Sequence, residues 1–206
     1  MMNTQDKPVR RRKGRGARER ILAAAGDLLY RQGIAATGVD QLSAAAKVTK
    51  RTLYRHFASK DDLVAAYLAQ SAEAARGAEA TFADASPRRR LLAIFDAPGM
   101  LRPRVGLDNP DEFRGCPFLN AAVEVPDPDH PTHVLTTAEK MSFAARLAKI
   151  AEEAGATDAD RLGEQLALLY DGAAARSVAL NTLATADTAR EIAAVLIDRA
   201  LPGESP

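Results

Sequence analysis

The chain has 206 residues, 47% of them hydrophobic and 27% charged, a balance that describes a globular protein and excludes a disordered one. A single cysteine, Cys116, excludes an internal disulfide framework and a multi-cysteine metal site. The net charge of +1 conceals an asymmetry: residues 1–60 carry 14 Lys or Arg against 4 Asp or Glu, and residues 61–206 carry 14 against 23.

Basic charge gathered in one segment is the electrostatic footprint of phosphate binding. Residues 1–15 have no periodic apolar positions and read as a flexible arm with Arg10, Arg11, Arg12, Lys13 and Arg15. Two readings stand for that arm: a solvated tail, or a segment that tracks phosphates or enters a minor groove. The excess continues through Lys47, Lys50, Arg51, Arg55 and Lys60, in a region that is patterned.

From Arg18 to Gln32, Ile21, Leu22, Ala25, Leu28 and Leu29 recur at helical spacing, and Gly33 reads as the stop. Thr37-Gly38 precedes a short amphipathic stretch, Val39–Ala46, with Leu42 and Ala45 on one face. Lys47-Val48 is a tight connection, and Thr49 caps a third helix that runs to about Phe57. Ser59 caps a fourth, with Asp61 and Asp62 in its first turn, reaching about Phe82. Ser86-Pro87 opens another helix with Leu91, Leu92 and Phe95 on its apolar face, closed by Pro98-Gly99.

Residues 98–117 are Pro- and Gly-rich and read as loops with short helices; Pro117–Val125 is a short apolar helix. The breaker Pro126–Pro131 precedes a long helix to about Ala154, followed by Gly155. The last two helices carry apolar stripes: Leu162, Leu166, Leu169, Ala173 and Leu180 on one, and Ile192, Val195, Leu196 and Arg199 on the other. Such stripes can form a helix-bundle seam between subunits, with core packing as a shared role. No strand alternation and no repeat is evident, so the fold class is all-α.

Residues 42–60 carry the most specific pattern. Leu42, Val48, Leu53 and Phe57 supply the small core of a helix-turn-helix, with Ala45 and Ala46 small enough to let its helices approach. The second helix then presents Thr49, Lys50, Arg51 and Thr52 where base edges are met, and Tyr54, His56 and Lys60 nearer the phosphates. Thr37, Lys47 and Arg55 complete the expected DNA-facing set. The run Ala46-Lys47-Val48-Thr49-Lys50-Arg51-Thr52-Leu53-Tyr54-Arg55-His56-Phe57-Ala58-Ser59-Lys60-Asp61-Asp62-Leu63 resembles the TetR family of repressors. There the segment reads roughly Ala-Gly-Val-Ser-x-Gly-Thr-Leu-Tyr-x-His-Phe-x-x-Lys-x-x-Leu. Two departures stand out. Lys47 replaces a turn glycine, which costs on the order of 1 kcal/mol if the position needs positive φ, and it can add a phosphate contact. Arg51 replaces a second glycine and can either grip guanine O6 and N7 or contact phosphate.

The resemblance implies a helix-turn-helix DNA-binding domain over 16–60 and a larger helical ligand-binding and dimerisation domain over 61–206. It implies a homodimer on palindromic double-stranded operator DNA, released by an unidentified small-molecule effector. No cofactor, no metal and no membrane partner is expected, and a soluble cytoplasmic protein is. The absence of a secretory leader or membrane-length apolar run agrees with this. Arg114-Gly115-Cys116-Pro117-Phe118-Leu119-Asn120 resembles a Gly-Cys-x-x-x-Asn segment found in a subset of these regulators. Candidate pocket residues are Tyr67, Cys116, Phe118, Asn120, Phe143 and Tyr170, each with core packing as its alternative. Cys116 also raises a thiol-responsive reading, against that of a buried inert thiol. His130 and His133, with Asp127, Asp129 and Cys116, are of the types that could hold a metal, against capping and surface roles as the default reading. An enzyme is not expected, because the chain has no Gly-rich phosphate loop, nucleophile elbow or paired-histidine metal helix. A ligand-independent architectural DNA binder is the remaining alternative.

Overall fold

Helix signals in the sequence become helices wherever a cap and an apolar stripe coincide. The computed structural model describes residues 16–96 and 113–201, which contain helices and no strand. The basic arm, Pro98-Gly99 and most of the Pro- and Gly-rich stretch lie outside the described residues. Helix α1 (Ala17–Gln32) starts where Glu19 accepts the Gly16 amide at 3.1 Å, and it buries Ile21, Ala25, Leu29 and Tyr30. It stops at Gly33, whose φ of 94° is costly for any residue with a Cβ. Helices α2 (Val39–Ala45) and α3 (Lys50–His56) follow, and Thr49 caps α3 by accepting the Thr52 amide.

Helix α4 (Lys60–Ala80) opens with a reciprocal capping box: the Asp62 amide donates to Ser59 Oγ and the Ser59 amide to Asp62 Oδ2, both at 3.0 Å. Helix α5 (Pro87–Ala93) is capped by Ser86 and has proline in its first turn. Helices α6 (Pro117–Glu124), α7 (Pro131–Glu153), α8 (Ala159–Leu180) and α9 (Thr185–Ala200) complete the described chain. The ends fall within two residues of the sequence expectation for most helices; the exceptions are α5, which ends at Ala93 well before Pro98, and α9, which begins three residues before the expected Thr188. One face was misjudged. Ala45 is exposed, and Ala46, one residue on, is the small residue turned into the core.

Two buried clusters organise the molecule. The first joins Ile21, Leu29, Leu42, Leu53 and Phe57 to Leu63–Ala72 of α4 and to Cys116, Phe118 and Ala121 of α6. The second joins Leu91, Leu92 and Phe95 to the faces of α7, α8 and α9. The expected division at residue 60/61 therefore cuts through a continuous core, because the first half of α4 closes the underside of α1–α3.

Alanine and glycine set the spacing in the second cluster. At Gly163 a Cβ would lie 2.6 Å from the Ala148 amide nitrogen and 2.8 Å from the Ala144 carbonyl oxygen. Helices α7 and α8 touch backbone to backbone there, a distance no side chain permits. The stripe on α8 then divides. Leu162, Leu166 and Ala173, expected at a subunit seam, are buried in the chain's own core and offer no surface to a partner. Leu169 and Leu196 are half-buried against the same core, and Leu180 is exposed.

Candidate functional site

The turn between α2 and α3 is a Schellman closure. The Lys47 amide donates to the Ala44 carbonyl and the Val48 amide to the Ser43 carbonyl, each at 3.0 Å. Lys47 takes φ 53°, the left-handed conformation that the departure from glycine anticipated. A lysine there carries a cost of about 1–2 kcal/mol and places its ammonium on the exposed side of the turn.

Leu53 and Phe57 hold α3 in the core, Thr52 and His56 are half-buried, and Lys50, Arg51, Tyr54 and Arg55 face solvent. Tyr54 is 48% exposed, and Arg51 and Arg55, one turn apart, share the outer surface. Among the described residues neither arginine has a carboxylate within ion-pair distance. Lys50 does: its Nζ lies 2.6 Å from Asp40 Oδ1 in the first turn of α2. The hydrogen bond and charge of Asp40 raise the Lys50 pKa above its ordinary value, so its ammonium is charged throughout the neutral range. Thr49 and Thr52 are hydrogen-bonded to each other through their hydroxyls at 3.0 Å.

Two residues of the expected DNA-facing set do other work. Thr37 is fully buried at 0% exposure; its hydroxyl donates to the Gly33 carbonyl at 2.7 Å, satisfying an orphan acceptor at the end of α1. That contact removes it from any DNA surface. The Lys60 ammonium reaches the Ile34 carbonyl and ties the start of α4 to the loop after α1. His56 is half-buried at the end of α3. A residue absent from that set stands beside it: the Arg18 guanidinium lies 5.2 Å over the Phe57 ring, which brings the first turn of α1 against the end of α3. The run of arginines before α1 was visible in the sequence, but only the packing angle of α1 on α3 reveals this stacking.

Helix α6 docks on the helix-turn-helix side. Tyr30 Oη donates to the Gly115 carbonyl at 3.0 Å and accepts the Arg114 amide at 2.9 Å. Glu124 accepts the Ala35 amide at 2.8 Å and closes over Gly33. This docking places four of the six candidate pocket residues on the helix-turn-helix side, away from the cavity described below. Tyr67, Cys116 and Phe118 are buried in the first cluster, and Asn120 donates to the Arg114 carbonyl at 2.8 Å. Burial, with Tyr30 and Cys116 beside it, pushes the Tyr67 phenol pKa up and keeps it neutral. His130 and His133 act as turn and cap residues: His130 Nδ1 accepts the Thr132 amide, with Nε2 3.6 Å from Asp61, and His133 Nδ1 meets the Val125 carbonyl.

Phe143 and Tyr170 line a cavity of about 380 Å³ bounded by the second half of α4, by α5, by α7 and by Tyr170 of α8. Their rings pack at 5.1 Å as its floor. Its rim is ionic. Arg76 pairs with Glu139, Arg90 with Glu153, and Arg146 with both Glu79 and Glu139. Two of these links tie α4 to α7 across the cavity mouth. A 380 Å³ cavity falls in the ordinary range for small-molecule sites.

On the outer surface of α8 and α9, large apolar side chains face solvent: Leu168 is 72% exposed, Val195 51% and Ile192 45%. Thr188, Ile192, Val195 and Arg199 fall on one exposed stripe of α9. Leu168 was missed in the sequence because an Ala-rich helix carries apolar residues on both faces, and only packing says which face turns inward.

The family profile of bacterial regulatory proteins of the tetR type matches residues 21–67, which span α1 to the first turns of α4. The chain is 25% identical over 179 residues to the HTH-type transcriptional regulator YjdC of Escherichia coli, covering 85% of this chain and 91% of that one. The crystal structure of SCO4454, a TetR-family regulator from Streptomyces coelicolor, superposes with a TM-score of 0.81 at 32% identity, over 90% of this chain and 96% of that one. A TetR-type regulator from Streptomyces avermitilis matches at 33% identity and a TM-score of 0.70, over 90% and 98% of the two chains. Such proteins are DNA-binding regulators rather than enzymes. With the helix-turn-helix in place and identity above 30% across nearly the whole chain, this protein belongs to the TetR family of transcriptional regulators.

Proposed function

We propose that the protein is a homodimeric repressor that leaves a palindromic operator when a small molecule enters the cavity. The observation that carries this reading is the span of α4. Its start is fastened to the DNA-reading side by Lys60 and by Leu63, Val64 and Leu68 in the first cluster. Its end, from Ala75 onward, forms a wall of the cavity. A ligand that shifts this wall shifts the base on which α3 rests.

In this reading α3 enters the major groove. Arg51, Thr49, Lys50 and Thr52 approach base edges, and Lys47, Tyr54, Arg55 and His56 hold phosphates. Arg18, beside Phe57, joins the phosphate contacts. The exposed seam of Leu168, Ile192 and Val195 pairs with its copy in a second subunit, flanked by Leu169, Leu196 and Arg199. Two α3 helices then meet grooves about 34–36 Å apart. An effector that prefers another separation weakens DNA binding, and DNA weakens effector binding by the same factor. Burial of Cys116 in the first cluster argues against the thiol-responsive alternative, since an inaccessible sulfur reacts poorly.

Selection of bound sequences from random duplex DNA by the purified protein tests this. The expected result is a two-fold symmetric consensus that relaxes at one base per half-site with Arg51→Ala. Binding without sequence enrichment would instead fit the architectural alternative.

A further inference from the structure

We infer that the cavity takes a monoanionic amphipathic molecule, an apolar body with one carboxylate-like head, and that Lys149 receives the head. The inference rests on the reading of this cavity as the effector site and names its ligand class. The floor is apolar: Phe143 and Tyr170 stack at its base, with Ile94 and Phe82 on the walls. A body without polar groups fits there, and burying it supplies most of the affinity.

The rim decides the charge. Four cations, Arg76, Arg90, Arg146 and Lys149, line the cavity. Three carboxylates stand with them: Glu79 and Glu153 in the lining, and Glu139 beside it. Each arginine is already matched to a carboxylate. Arg146 is held doubly, since its guanidinium also lies 5.6 Å over the Phe143 ring. Lys149 is the rim cation that has no carboxylate within ion-pair distance among the described residues. Its natural helical partner, Glu153, one turn further along α7, is engaged by Arg90 from α5. The rim therefore holds one positive charge in excess, on a flexible exposed stem able to fold over an occupant. A cationic ligand would have to take a carboxylate from an arginine. A neutral ligand could accept a hydrogen bond from Lys149 but would leave its charge uncompensated.

Calorimetric titration of the full chain tests this with matched probes: 2-naphthoate and octanoate, against 2-naphthylmethanol, octanol and octylammonium. At low salt the carboxylates should bind about two- to fivefold more tightly than the alcohols, with octylammonium weakest. Lys149→Glu should abolish that preference and move it toward octylammonium. Ala78→Phe, which fills the cavity from α4, should remove binding of every probe. Equal binding of carboxylates and alcohols, failure of both carboxylates to bind, or an unchanged preference in Lys149→Glu would overturn the inference. Operator affinity measured on the same samples separates the two readings. Carboxylate binding that leaves DNA affinity unchanged supports the ligand class and counts against release. Release driven by octanol or octylammonium overturns the ligand class and leaves release standing.

Discussion

The two halves of this molecule use their cations in opposite ways. Around α7, α8 and α9, five cations act as tethers: Arg88 to Asp198, Arg90 to Glu153, Arg146 to Glu79, Arg190 to Asp96 and Lys140 to Asp171. On α3, Arg51 and Arg55 stand in solvent with no carboxylate near them among the described residues. Net charge separates the two regions, with 14 basic against 4 acidic residues in 1–60 and 14 against 23 in 61–206, but it does not say which cations are available to another molecule. Pairing does. In the proposed reading, Arg51 and Arg55 are available to DNA and Lys149 to an effector's head group because no carboxylate engages them among the described residues.

The largest expected effect probes whether the halves are separable in stability. Leu53 is fully buried at the heart of the first cluster, and Leu53→Ala should cost about 2–5 kcal/mol. Hydrogen exchange should then accelerate in α1–α3 and the start of α4, with the amides of α8 still protected. Equal acceleration in α8 would mean that the two clusters unfold as one unit and that α4 couples them rigidly.

Next in size is the contrast between an unmatched and a matched arginine. Arg51→Ala should weaken operator binding by about 1–3 kcal/mol and leave thermal stability unchanged. Arg146→Ala should do the reverse. It removes the partner of Glu79 and one of the two partners of Glu139, which keeps Arg76, and should destabilise the fold by about 1–3 kcal/mol with operator affinity preserved while the protein is folded. If Arg51→Ala lowers stability or Arg146→Ala selectively lowers DNA affinity, the division into readers and tethers is wrong.

How far the sequence carries depends on the range of the interaction. The caps at Thr49 and Ser59 and the spacing of Leu53 and Phe57 are local, and they locate α3 and α4 without knowledge of the rest. Lys47 at positive φ was legible through its position in the turn. Thr37 was misread because a hydroxyl after a helix end looks the same whether it faces DNA or folds back on the Gly33 carbonyl. The pocket residues divide for a similar reason. Whether α6 packs on α1–α4 or on the cavity is set by Tyr30 and Glu124, contacts that reach 84 to 89 residues along the chain. Periodicity cannot see that far.

The smallest effect is the most informative about reading, because Lys50 sits between the two categories. It faces outward from α3 but is matched to Asp40. Its raised pKa keeps the pair fully formed at neutral pH; the contribution is present below the ordinary lysine value and is lost only as pH rises through the higher folded value. No change in that pair is therefore expected between pH 6 and 9. Asp40→Asn releases the ammonium and deletes a negative charge from the DNA-facing side. If Lys50 then engages phosphate, the salt dependence of operator binding should steepen by about 0.9 in log–log slope, one added phosphate contact. An unchanged slope with an altered consensus would place Lys50 at a base edge instead. An unchanged slope and consensus would make it a tether, with the Asp40 pair serving only to join α2 to α3.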